Sequence, residues 1–139
     1  MLLFSRNKTV GVQTFLLNLV NKQCPELVAM LENRRDESRV PLCQVALVVP
    51  LEDGKPDLAN HFHTVTKEFS TTGVSIVLDQ PRGLNDVIIG LRWETETTLL
   101  RGAAKHLNPM GAGFFHLGIQ LSEVVRLDEY PELEKLTIF

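Results

Sequence analysis

The hydrophobic period of this chain changes once, from helical to alternating. Over residues 9–33 the apolar positions Val12, Phe15, Leu16, Leu19 and Val20 fall at i, i+3, i+4, i+7 and i+8, one stripe on one face. Pro25 reads as a first-turn residue, with Leu27, Val28 and Leu31 on one side after it. Two short helices are expected, or one broken near Cys24-Pro25. The stripe is expected to pack on the domain that follows or on a second copy of the chain, giving a homodimer seam. Its polar face lacks the basic enrichment of a membrane-surface helix.

From Arg39 the period is two. Cys43, Val45, Leu47 and Val49 alternate with Leu42, Gln44, Ala46 and Val48, and residues 61–69 form a more polar second strand. Val74, Ile76 and Leu78 mark a third strand, ended by the turn Pro81-Arg82-Gly83. Val87, Ile89, Leu91 and Trp93 give a fourth, the most one-sided, with Trp93 expected in the core. Residues 98–107 give a fifth, with Leu99, Ala103 and Leu107 on one parity, and Phe115, Leu117, Ile119 and Leu121 a sixth. Glu52-Asp53-Gly54-Lys55-Pro56 and Asn108-Pro109-Met110-Gly111 read as connections. Six short strands without intervening helices predict a mainly β fold, an antiparallel sheet closed into a small barrel. Tyr130, Leu133 and Leu136, after Pro131, predict a short C-terminal helix over a barrel mouth. The expected division is a helical extension over 1–33, a barrel over 34–125 and a helix or tail over 126–139.

Composition narrows the function classes. A length of 139 residues fits one domain, and a hydrophobic content of 44% supports an ordinary core. The formal net charge of −3 argues against bulk binding to a nucleic acid polymer or an anionic membrane, so any anion must be held by a local cluster. Cys24 and Cys43 form no Cys-x-x-Cys pair, and no apolar run approaches the roughly 20 residues of a membrane span. The opening Met1-Leu2-Leu3-Phe4 is too short for a signal-peptide core, so a cytoplasmic protein is expected and the Asn7-Lys8-Thr9 sequon is read as incidental.

Two segments carry candidate chemistry. Arg34-Arg35-Asp36-Glu37-Ser38-Arg39 precedes the first strand, and Glu68-Phe69-Ser70-Thr71-Thr72-Gly73 spans the turn between the second and third. Guanidinium forks suit phosphate oxygens and the O6/N7 edge of guanine, and they stack on flat rings. A carboxylate accepts from guanine N–H groups, and a glycine allows close approach to the backbone. Together the segments describe a site for an anionic guanine nucleotide. The bland accounts are a solvated charge-paired linker for the arginines and a hairpin turn in which Gly73 supplies a positive φ.

The order and placement of these two segments resemble the PilZ domain family, whose pattern is Arg-x-x-x-Arg followed by Asp or Asn-x-Ser-x-x-Gly. Val40-Pro41-Leu42 after the arginines and the late strand Phe115-His116-Leu117-Gly118-Ile119-Gln120-Leu121 are similar to the family as well. The resemblance covers about residues 34–125. It implies a six-stranded antiparallel barrel of a bacterial signalling protein that binds cyclic di-GMP, needs no cofactor and passes the signal to a protein partner. Residue by residue, it implies that Arg35 and Arg39 clamp phosphates and guanine edges, that Ser70 offers its hydroxyl, and that Gly73 permits the close turn. Arg34 points to a stacked ligand pair. Glu68 departs from the pattern: it keeps the acceptor but carries one more methylene and one more rotor. The alternative is a barrel that no longer binds nucleotide and acts as a protein–protein adaptor.

Other chemistry is weaker. His61-x-His63 lies on one strand face without a third or fourth ligand at a recognisable spacing, and His106 and His116 fall in other strands, so no metal site is expected. No nucleophile elbow, Walker loop or Gly-x-Gly-x-x-Gly is present, and Cys43 and Ser70 lack a placed base, so no enzyme is expected.

Overall fold

The computed structural model describes residues 10–16, 19, 40–93 and 95–136. The second N-terminal helix expected after Pro25, and the arginines at 34, 35 and 39, lie outside them, as does the side chain of Trp93. Among the described residues one helix, α1 (residues 10–16), precedes seven strands: β1 (Val45–Glu52), β2 (Lys55–Pro56), β3 (Phe62–Phe69), β4 (Gly73–Leu78), β5 (Asp86–Trp93), β6 (Glu96–Gly111) and β7 (Phe114–Val125). Every pairing is antiparallel, in the order β2-β1-β3-β4-β7-β6-β5. Pairing of β1 with β5, from Ala46↔Leu91 to Pro50↔Val87, closes the six long strands into a barrel. The expected mainly β barrel is therefore the fold, with β2 a two-residue addition.

Local chemistry explains the turns. Asp53 and Gly54 both have positive φ, 52° and 77°, the backbone of a tight two-residue hairpin between Glu52 and Lys55. Gly111, Ala112 and Gly113 are all left-handed and turn β6 into β7. That turn comes later than the expected Asn108-Pro109-Met110-Gly111, which stays in β6. Pro109 is tolerated because β6 has by then outrun β5, whose last partner is Ala103, and has β7 on one side only.

Two apolar clusters hold the barrel. Ala46, Val48, Phe69, Val74, Ile76, Leu78, Val87, Ile89, Leu91, Leu100, Leu117, Ile119 and Leu121 fill the interior. Val12, Leu16 and Leu19 belong to the same cluster, so the N-terminal stripe packs on its own barrel. Side chains inside a closed barrel are reachable only through its ends, so α1 covers one end. The second cluster lies outside the wall and joins Leu47, Val49, Ile88, Leu99, Val125 and Leu133. β1 is consequently buried on both faces, and Ile88 makes β5 two-sided where alternation predicted one apolar face.

The C-terminal helix expected over a barrel mouth is replaced by two short 3₁₀ turns, Leu127–Glu129 and Pro131–Lys135, the second of which packs Leu133 against the outer wall. Glu129 accepts from the Arg126 backbone N–H at 3.0 Å and so closes the first turn. β6 also departs from its expected parity. Irregularities between Arg101 and Gly102 and between Ala104 and His106 each insert a residue or shift the pairing. Regular pairing with β5 up to Ala103 puts Leu100 inside and Leu99 in the outer cluster, and the bulge at Lys105 leaves Leu107, which is exposed, on the opposite parity from Leu99.

Candidate functional site

The turn after β3 is where sequence-selected residues come together. β3 bulges between Thr66 and Glu68, which changes its parity and leaves Phe69 buried inside and Glu68 half-buried beside it. Ser70 N–H donates to the Gly73 carbonyl at 3.0 Å, closing the turn, and Leu121 N–H donates to the Thr72 carbonyl at 2.9 Å, tying it to β7. Gln120 Nε2 adds a 2.9 Å donation to Thr72 Oγ1.

Gly73 is required here for space. Its φ is not positive, contrary to the hairpin expectation. A Cβ at this position would lie 2.9 Å from the Ile119 carbonyl oxygen and 3.1 Å from Ser70 Oγ, so only glycine lets β4 meet β7 this closely.

These residues line one cavity of ≈ 300 Å³ on the outer face of the barrel. Glu68, Ser70 and Gly73 form one side of it. Ser75 and Gly118, paired across β4 and β7, also line it, both carrying little or no side chain. Lys105, His106, Asn108, His116 and Gln120 contribute from the long β6–β7 hairpin. The register places His106 opposite Gly118 and Asn108 opposite His116. The result is a pocket with a carboxylate, two hydroxyls, an ammonium, two imidazoles and two amides over a small-residue surface. Such a set can accept from and donate to the edges of a planar heterocycle and can meet an anion with Lys105.

Of the six residues selected from sequence, three meet at this cavity. Arg34, Arg35 and Arg39 lie outside the described residues. The backbone that follows them is nonetheless fixed: Val40 and Phe69 form an antiparallel bridge, so the chain after Arg39 is fastened between Glu68 and Ser70.

Lys105, His106, Asn108, His116 and Gln120 were not assigned to this site from sequence, although His106 and His116 were weighed as metal ligands. Their signal was available in the glycine-flanked turn at 111–113, which sets the pairing of 106 with 118 and of 108 with 116.

The other candidates are placed elsewhere. His61 Nδ1 donates to the Leu58 carbonyl at 2.6 Å, and the His61 and His63 rings stand 6.3 Å apart, edge to face. Among the described residues no three His, Cys, Asp or Glu side chains gather as metal ligands would. Cys43 is an exposed free thiol. No helix of the described residues is long and apolar enough to cross a membrane.

Comparison with known proteins bears on the fold. No family model matches the chain, and no curated protein matches it. Among solved structures the barrel is similar to the Bacillus subtilis inhibitor of motility, MotI/DgrA, a PilZ-domain protein, with a TM-score of 0.50 and 16% sequence identity. The similarity covers 69% of this chain and 46% of that one, so the chain corresponds to about half the length of that protein. The barrel is thus consistent with a PilZ-like fold.

Proposed function

We propose that this chain is a receptor for cyclic di-GMP that signals to a protein partner. The observation that carries the reading is the convergence of Glu68, Ser70 and Gly73 on one cavity, beside the point where Val40 fastens the arginine-bearing segment to β3. Glu68 accepts from the N1–H and N2–H of a guanine, and Ser70 donates to or accepts from the ligand at the turn. Arg35 and Arg39 close over the phosphates, with Arg34 favouring a stacked pair. Lys105, His106 and Gln120, from the facing hairpin, bound the cavity on its other side. Ordering of the arginine segment on the ligand changes the arrangement of the N-terminal region. The thermodynamic requirement is a difference in ligand affinity between its two arrangements.

A second reading has its own support. The similar solved structure is of a protein named as an inhibitor of motility, which fits an adaptor that acts by binding another protein. Calorimetric titration with cyclic di-GMP separates the two. The receptor reading expects micromolar or tighter binding that is lost in both Arg35→Ala and Arg39→Ala. An absence of heat at high micromolar ligand leaves the adaptor reading standing. In a Glu68→Asp variant, much tighter binding would show that the extra methylene misplaces the carboxylate; unchanged binding would show that the bulged end of β3 already accommodates it.

A further inference from the structure

The register of the sheet sets out the cavity in rows. Glu68 pairs with Ser75, Ser75 with Gly118 and Gly118 with His106, so these four residues stand side by side across β3, β4, β7 and β6. Strands lie about 4.8 Å apart, so the carboxylate end and the imidazole end of that row are about 14 Å apart along the sheet. A serine and a glycine floor the space between them. In β6 a bulge separates Ala104, opposite Ile119, from His106, opposite Gly118. It inserts Lys105 as an extra residue in the ladder, so that Lys105 and His106, consecutive in sequence, both line the cavity. His116 stands opposite Asn108, two residues along β6 from His106, and is therefore diagonal to His106 on the same face. Among the described residues, none of the side chains of Lys105, His106 and His116 has a hydrogen-bond or ion-pair partner. Gln120, by contrast, is already committed to Thr72.

We propose that Lys105, His106 and His116 form a phosphate subsite whose hold on the ligand is coupled to protonation of the imidazoles. The assignment rests on the nucleotide reading of the cavity and gives the ligand a direction in it. A guanine presents its N1–H and N2–H to Glu68 at one end of the row, and phosphate oxygens meet the three nitrogen-bearing side chains at the other. With a formal net charge of −3 the chain as a whole repels an anion, so such a local cluster is what holds one. A neutral imidazole offers one N–H and one lone pair, and the lone pair repels a phosphate oxygen. An imidazolium donates from both nitrogens and adds a charge. Within the cavity the charged groups around the two rings are Glu68 from β3 and Lys105 from β6, while β4 brings only Gly73, Val74 and Ser75. The nucleotide reading adds Arg35 and Arg39. Between about pH 6 and 8 imidazole is the group whose charge ordinarily changes, and carboxylates, phosphodiesters, ammonium and guanidinium groups ordinarily keep theirs. Ligand and proton therefore strengthen each other's binding, and affinity falls as pH rises through the range in which the bound imidazoles lose their protons.

The test is calorimetric titration of the full chain with cyclic di-GMP at about pH 6 and about pH 8, repeated between them in two buffers of different ionisation enthalpy to count protons. Affinity should be roughly tenfold higher at the lower pH, with net proton uptake on binding, because charge-assisted hydrogen bonds replace neutral ones. In NMR spectra of the native chain the titration midpoint of at least one of the two cavity imidazoles should move to higher pH when ligand is bound. The double variant His106→Gln, His116→Gln keeps amide donors but no titrating ring, and should lose the pH dependence and the proton uptake together. Lys105→Gln should weaken binding at both pH values and leave their ratio as in the native chain. None of the three positions belongs to either apolar cluster, so the variants should melt with the native chain. Binding of equal affinity at the two pH values without proton uptake overturns the subsite and leaves the receptor reading standing. A pH dependence that survives the double substitution overturns the subsite as well. No binding of cyclic di-GMP at either pH overturns both.

Discussion

Val40 and Phe69 exchange both backbone hydrogen bonds, N–H to carbonyl at 2.7 Å and 2.8 Å, in an isolated bridge between the segment before β1 and the end of β3. Phe69 is buried in the barrel interior and lies between Glu68 and Ser70 in the chain, so the bridge attaches a conformationally defined residue to the middle of the candidate site. Val40 is itself buried, and Pro41 follows it and biases it to extended backbone. Two local preferences thus agree with one tertiary contact.

Val40→Pro removes the N–H that Phe69 receives while keeping extended backbone at position 40. The loss of one buried hydrogen bond should cost about 1–3 kcal/mol, visible as an earlier urea midpoint. Cyclic di-GMP affinity should fall much further than stability does, because the segment carrying Arg35 and Arg39 loses its fastening. Calorimetry of the folded variant decides the matter: native affinity would separate the bridge from the site.

Gly73 and Gly118 both line the cavity and predict opposite phenotypes. A Cβ at residue 73 meets the Ile119 carbonyl at 2.9 Å, whereas at residue 118 the nearest atom, the His106 carbonyl oxygen, is 3.8 Å away. Gly73→Ala must push β4 from β7 and should destabilise by about 1–3 kcal/mol, like other overpacked contacts. Gly118→Ala should leave the melting temperature nearly unchanged and still weaken ligand binding, because its methyl group occupies cavity volume. Paired thermal melts and titrations distinguish the two glycines.

Alternation and turn chemistry were enough to read a closed antiparallel barrel, and the spacing of Glu68, Ser70 and Gly73 was enough to place them on one turn. The half of the cavity built from β6 is harder to read from the sequence, for two physical reasons. Bulges change parity without a marker in composition, so the one at Lys105 takes Leu107 off the face of Leu99. Asn108 and Pro109 have turn chemistry, yet they sit where β6 runs free of β5, and an edge strand accepts both. Moving the turn to Ala112 brings His106 and His116 from separate strands into one pocket. Tertiary packing likewise decided that Leu133 would sit on the wall of the barrel, a choice that helical spacing alone does not make.

Thr66 is a buried hydroxyl that serves two backbone groups. Its Oγ1 donates to the Leu42 carbonyl at 2.7 Å and accepts from the Gln44 N–H at 2.8 Å. Both bonds hold the segment between Val40 and β1 against β3. Thr66→Val keeps the shape and removes both, leaving a donor and an acceptor without partners, at a cost of about 1–3 kcal/mol. Thr66→Ser should recover most of that loss. Hydrogen exchange adds a local readout: the Gln44 amide should lose protection in the valine variant and keep it in the serine variant.

Leu133 is fully buried against Leu47, Val49, Ile88, Leu99 and Val125, although it belongs to a 3₁₀ turn near the end of the described chain. Those five side chains form the outward face of β1, β5 and the ends of β6 and β7, and a solvated barrel wall would not carry so many aliphatic groups. The C-terminal turns are therefore part of the core and not an accessory. Leu133→Ala should destabilise by about 2–5 kcal/mol through lost burial and the cavity left behind. Deleting the chain from residue 127 onward should go further, exposing the whole patch to solvent and producing an aggregation-prone barrel. Light scattering and urea unfolding of the two variants measure this. A truncated chain that stays monomeric with native stability would mean that the outer wall tolerates water and that Leu133 adds nothing to the fold.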